Sequence, residues 1–317
     1  MIQLVPAAIA VFVASVVLAG LLRWGRMPAD TPNARSLHRL PVPRGAGIAI
    51  WAGVAAATAW LPQGGTWLAP VALVIGVSLW DDYRGVPVAV RLAAQTLGAL
   101  AWVGASLPWP LLLTVVLAIV WMANLYNFMD GADGLAGGMA LFGFATYGAA
   151  AALAGDPVLS AICAALVAAA AAFLCFNFHP ASLFMGDSGS VPIGFLAGAL
   201  GLYGVFEHLW TPIFPLIAFF PFAFDATLTL FRRGLAGKRV WRAHREHLYQ
   251  RAVLAGLGHR AMALRAYLLM VVCSVCAISV REGSPAAQAL IMLAVLLCAW
   301  VVARRVDSLY RSRQPTS

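Results

Sequence analysis

Three carboxylate motifs hold most of the chemistry this sequence can offer. Asp81 and Asp82 stand side by side in Trp80-Asp81-Asp82-Tyr83-Arg84. Adjacent carboxylates repel, and a shared cation or metal relieves the repulsion; the plainer alternative is a helix cap running into a solvated turn. The second motif, Asn124 to Gly138, contains Asn127, Asp130 and Asp133. One helical turn would put Asp130 and Asp133 on a common face, and the glycines let backbone approach a ligand closely. A calcium loop would need more oxygen ligands than this stretch supplies. In the third, Asp187 lies between Gly186 and Gly189 at the mouth of an apolar run. It suits a hard cation, with backbone N–H groups facing an anion, or a simple N-cap.

Two basic stretches accompany these acids. His244-Arg245-Glu246-His247-Leu248-Tyr249-Gln250-Arg251 combines residue types that recognise pyrophosphate. A lipid-facing surface is the ordinary reading, and a zinc pair lacks a nearby Cys. Arg35 to Gly47 is a kinked basic loop containing His38 and Arg44, and alone it marks topology.

Something must bring these segments together. The chain has 317 residues, 62% hydrophobic and 10% charged. Soluble domains carry about 25% charged residues, so lipid is the solvent for most of this chain. Eleven apolar spans follow, near 2–22, 45–60, 62–80, 92–107, 109–126, 135–154, 157–176, 191–206, 209–231, 262–280 and 285–303. With these spans every Lys and Arg except Arg281 falls on one side. Positive charge marks the cytoplasm, which puts the N-terminus outside and the C-terminus inside. The expected fold is all-α integral membrane. Residues 1–303 form one polytopic catalytic domain, with motif loops 23–44, 81–91, 124–138, 177–190 and 232–261 on the cytoplasmic side. Residues 304–317 form a basic cytoplasmic tail. The first span is read as a retained helix.

The net charge of +9 belongs to short loops, so the bilayer and anionic small molecules are the expected partners, with no nucleic acid. The five cysteines lie in apolar runs and read as small core residues. Asp225, the one acid within a span, is expected to pair with Arg232 or Arg233. Gly194 and Gly198 permit close helix contact, within one chain or between two copies, so a homodimer stays open.

In this order, over roughly Arg35 to Arg260, the motifs resemble the polyprenyl-phosphate N-acetylhexosamine-1-phosphate transferases. The resemblance implies a helical membrane enzyme that moves a sugar-1-phosphate from a UDP-sugar, here a UDP-N-acetylhexosamine, to undecaprenyl phosphate with release of UMP, using Mg²⁺ or Mn²⁺. It implies that Asp81, Asp82, Asp130, Asp133 and His247 are catalytic. Asn127, Asn177, Arg91, His244 and Arg245 would bind substrate, to which Arg44 is added, and Asp187 with Asn127 would hold the metal. Arg84 stands where many members have Lys. The His-x-x-His spacing looks more like the branch that begins O-antigen and related surface glycans than the murein-precursor branch, whose histidines are adjacent. A phospho-N-acetylmuramoyl-pentapeptide transferase remains the enzymatic alternative. A secondary transporter is the alternative of another class, although the acids cluster at loop mouths and not along a path.

Overall fold

The computed structural model describes residues 4–32, 36–38, 40–61, 64–104, 107–240 and 244–313, without the side chains of 64–66. Arg35, Arg39 and Arg242 of the charge pattern lie outside the described residues. The chain is helical apart from loops and a short ribbon. The helices are α1 (Leu4–Trp24), α2 (Gly47–Thr58), α3 (Gly64–Arg84), α4 (Val88–Val103), α5 (Trp109–Met129), α6 (Leu135–Leu153) and α7 (Pro157–Asn177). After them come α8 (Asp187–Phe206), α9 (Ile213–Ala218), α10 (Phe220–Leu235), α11 (Leu248–Ala252), α12 (His259–Ser279) and α13 (Pro285–Ser312). Among the described residues, seven helices are long and apolar enough to cross a bilayer: α1, α5, α6, α7, α8, α12 and α13. α2 and α4 are shorter apolar helices. This is the architecture of an all-α integral membrane protein.

Local chemistry sets the helix ends. Asp156 caps α7 by accepting from Leu159 N at 2.8 Å, with Pro157 at the first turn. Ser284 caps α13 in the same way, accepting from Ala287 N. The ninth expected span is two helices. Pro221 has no N–H to give the preceding turn, and the chain breaks at Phe219 (φ −106°, ψ 17°) between α9 and α10. Other boundaries move toward the motifs. α3 runs through Arg84, α4 spans 88–103 and not 92–107, α5 continues to Met129, and α8 starts at Asp187. Asp81, Asp82, Arg91, Asn127 and Asp187 are therefore held on helix ends.

α8 is the central helix, packed on α3 and α5, while α7 joins α6 to α1 and α2. Small residues allow the close fit. A Cβ on Gly194 would lie 2.5 Å from Tyr126 Cβ, and one on Gly198 would lie 3.2 Å from Ile119 Cα. The Gly194–Gly198 spacing thus serves α5 of the same chain. A Cβ on Gly47 would collide with the backbone of Gly189, so the starts of α2 and α8 meet glycine on glycine.

Candidate active site

The start of α8 is organised from α3. Gly186 precedes the helix at φ 76° and gives it no side-chain cap. Asp82, 2% exposed, takes that place, accepting from Asp187 N at 2.9 Å and Ser188 N at 3.0 Å. A carboxylate suits the positive end of a helix. The basic loop closes over this joint. Its ribbon pairs β1 (Ala29–Asp30) with β2 (Val42–Pro43), Arg44 bridges Phe184, and Gly45, Ala46 and Gly47 donate to Phe184 O and Met185 O. The Arg44 guanidinium donates to Asp82 O at 2.7 Å. Arg44 thus braces the loop junction.

Asp81 points away from Asp82. It accepts from Val86 N at 2.5 Å and from Arg91 at 2.7 Å. The same Arg91 nitrogen lies 3.1 Å from Asp187, so one guanidinium on α4 ties two motifs together. Asn127, on the last turn of α5, accepts from Ser190 Oγ at 2.8 Å, one turn beyond Asp187. Asp130 follows at the end of α5. Burial, then the carboxylates of Asp187, Asp82 and Asp30, push its carboxyl up to about 8. Among the described residues no cation pairs with Asp130. Negative charge is in surplus here, and the donors are oxygens of a kind that hold Mg²⁺ or Mn²⁺. The residues fit a hard divalent cation.

Asp133 does not share a face with Asp130, contrary to the helical-turn expectation. Residues 130–134 are turn and loop, because Gly134 at φ 76° starts α6 afresh. Asp133 instead lies 2.6 Å from His179 Nδ1 and 3.4 Å from His259 Nδ1, and its backbone N–H donates to His259. Burial raises the Asp133 carboxyl, but the hydrogen bonds from His259 and His179 outweigh it and hold it at about 2. These three residues form a cluster of potential metal ligands within 4.8 Å. Its imidazole nitrogens suit zinc better than magnesium, and its carboxylate is already engaged. Asn177 is structural in its contacts, accepting from Gly134 N at 2.9 Å and donating to Leu183 O at 3.0 Å.

The histidine loop lies over the end of α5. His244 and His247 are not on a helical turn; His247 precedes α11, and the two rings lie 4.8 Å apart. Burial, then the charges of His247 and Arg233, lower His244 to about 4, so it is neutral at pH 7. His247 is buried and stacked at 6.4 Å on Phe128, which directly follows Asn127 and stands two residues before Asp130. Tyr249 donates to Phe128 O at 3.2 Å, and a Cβ on Gly131 would collide with its hydroxyl. Arg245 is exposed at this surface. Asp225 does not pair with Arg232 or Arg233. It accepts from Leu248 N at 2.8 Å and Tyr249 N at 3.0 Å, capping α11, while Arg232 pairs with Asp307 and Arg233 with Glu246.

Sequence reasoning missed Ser190, His179, His259 and Asp307 as parts of this assembly. Ser190 and His179 stand inside the third motif and were open to inference. His259 lies in the 232–261 loop but outside its His244–Arg251 stretch, and Asp307 is a lone residue far from any motif; only the fold brings the two in.

Residues 65–205 match the model of glycosyl transferase family 4. The chain is 29% identical over 280 residues to a Bacillus subtilis (strain 168) protein named probable undecaprenyl-phosphate N-acetylglucosaminyl 1-phosphate transferase, covering 80% of this chain and 78% of that one. It is 28% identical over 337 residues to the decaprenyl-phosphate N-acetylglucosaminephosphotransferase of Mycobacterium tuberculosis (strain ATCC 25618 / H37Rv), covering 88% and 83%. The undecaprenyl-phosphate alpha-N-acetylglucosaminyl 1-phosphate transferase of Escherichia coli (strain K12) is 27% identical over 261 residues, covering 73% and 70%. With its ordered acidic motifs gathered at one end of a helical bundle, the chain resembles glycosyl transferase family 4 over residues 65–205 and is similar along most of its length to polyprenyl-phosphate N-acetylglucosamine-1-phosphate transferases.

Proposed function

We propose that this protein transfers N-acetylhexosamine-1-phosphate from a UDP-sugar to undecaprenyl phosphate at the cytoplasmic face of the inner membrane, and so starts a surface glycan. The observation that carries this reading is the meeting of Asp82, Asp130 and Asp187 with Arg91 at the end of the bundle to which His247 also belongs. The one-sided cation pattern supports eleven crossings, with the N-terminus outside; α13 runs unbroken through residue 303 to Ser312, so the basic stretch after 303 continues that helix. The three relatives above are named for N-acetylglucosamine transfer, which favours that donor over a muramoyl-pentapeptide.

A lipid phosphate oxygen attacks the β-phosphorus of the UDP-sugar. The bond from that phosphorus to the bridging oxygen breaks, and UMP leaves with the electron pair. One diphosphate replaces another, so the barrier is charge repulsion and positioning. Asp187 and Asn127 would hold Mg²⁺ or Mn²⁺, which supplies charge neutralisation to the diphosphate. Arg91 positions Asp187 against Asp81 and presents positive charge to a phosphate. Arg245 and the neutral His244 offer donors on the nucleotide side. Asp82 positions α8 and removes no proton, and the lipid phosphate needs little help, since a phosphate monoester loses its second proton near pH 6.

The test uses the detergent-purified protein with Mg²⁺, undecaprenyl phosphate and a panel of UDP-sugars. UMP should appear with a UDP-N-acetylhexosamine in step with a lipid-linked sugar diphosphate. No UMP from any donor, with solute movement in sealed vesicles instead, would replace this reading with a transporter.

A further inference from the structure

α13 is 28 residues long, about 42 Å at 1.5 Å per residue. The hydrocarbon core of a bilayer is about 30 Å, so the last turns of α13 stand clear of it at the end where the acidic motifs meet. On that overhang, Asp307 is largely buried between two arginines. Its carboxylate lies 2.9 Å from Arg232 on α10 and 2.8 Å from Arg251 on α11. Arg251 also sits over the Tyr310 ring at 5.7 Å, and its backbone N–H donates to His247 O at 2.9 Å. Asp307 is therefore one backbone hydrogen bond and one side chain away from His247.

The loop is held from two sides. Asp225 on α10 caps α11 from within the bundle. Among the described residues Asp307 is the only carboxylate within 3 Å of an Arg251 nitrogen; Glu246 is 3.9 Å away and already engages Arg233 and Lys238. Without the Asp307 charge, Arg232 and Arg251 become like charges facing each other across the gap between α10 and α11.

We propose that Asp307 is a positioning residue for the reaction: it clamps the His244–Arg251 loop over the carboxylate site through Arg232 and Arg251. The kinetic part rests on the transferase reading above, in which this loop serves the sugar nucleotide. The clamp itself stands apart from that reading.

The test compares full-length wild type with Asp307→Asn and Asp307→Glu. Asp307→Asn should raise KM for the UDP-sugar about tenfold, the equivalent of about 1.4 kcal/mol, with kcat and KM for the lipid phosphate within about twofold. Asp307→Glu should recover most of the loss. Adding Arg232→Gln to Asp307→Asn should also recover it, because it removes the repelling partner. Backbone amides of 244–252 should exchange faster in Asp307→Asn, while those of α5 and α8 stay unchanged. Equal KM changes for both substrates, or no recovery in the double variant, would overturn the proposal. If wild type releases no UMP from any donor, the transferase reading fails, and amide exchange still decides the clamp. Unchanged protection of 244–252 in Asp307→Asn would overturn it.

Discussion

Replacing Asp82 separates a positioning role from proton abstraction. Asp82 is 2% exposed and accepts from two backbone N–H groups at the start of α8, at 2.9 and 3.0 Å. A hydrogen bond to a charged group contributes about 1.5–3 kcal/mol, and a buried donor left without a partner costs about 1–3 kcal/mol. Asp82→Ala strips both bonds at once, although water entering the vacated space offsets part of the loss. A destabilisation of about 3 kcal/mol is the working figure. One of the orphaned donors is the N–H of Asp187 itself, so the helix start shifts and takes the Asp187 carboxylate off Arg91. Misplacement of a reacting constellation by about 1 Å costs about 100-fold in rate. Asp82→Ala should therefore lose stability and turnover together, and its half-saturating Mg²⁺ concentration should rise. Asp82→Asn keeps an oxygen for one of the two donors and should retain about half the lost stability. The assays are chemical denaturation in detergent and a Mg²⁺ titration of UMP release. If Asp82→Ala is as stable as wild type, with unchanged Mg²⁺ dependence and no activity, Asp82 acts directly in the chemistry and the capping argument is wrong.

Asp187→Asn should abolish turnover while the unfolding midpoint stays near wild type, because its backbone N–H still reaches Asp82; near-normal Mg²⁺-dependent UMP release would remove Asp187 from the metal site. Gly131→Ala places a methyl against the Tyr249 hydroxyl and should destabilise by about 1–3 kcal/mol, with partial rescue by Tyr249→Phe in the double variant; additive losses would show that the contact is relieved elsewhere. The Asp130 carboxyl is raised from its ordinary value to about 8, so the folded protein holds its proton more tightly than the unfolded chain. The resulting stability is fully present below about pH 4 and is lost as pH rises to about 8. In chelator, thermal stability should therefore fall between pH 6 and 8, and Asp130→Asn should flatten that part of the profile; an unchanged slope would show that another group titrates there.

The sequence by itself settled that the chain is a helical membrane protein, because a composition this apolar cannot cover a surface in water and a spanning backbone must satisfy itself. Read with eleven spans, it also pointed to one end of the bundle for Asp81-Asp82, the Asn127–Asp133 stretch and Asp187, and the tertiary structure joins Asp81, Asp82, Asn127 and Asp187 there through Arg91, the start of α8 and Ser190. It could not assign those acids their separate tasks. Asp81 and Asp82 are neighbours in the chain, yet one meets Arg91 and the other caps α8, because successive side chains on a helix diverge by about 100°. Asp130 and Asp133 part company for a different reason: the glycine-rich turn leaves α5 and restarts as α6, and no helical register survives across it. Asp225 sits near Arg232 and Arg233 in sequence but faces the start of α11, because those arginines find Asp307 and Glu246 instead. Those partners are 75 and 13 residues away, and pairings across such separations are decided by how the helices pack, to which local sequence is blind.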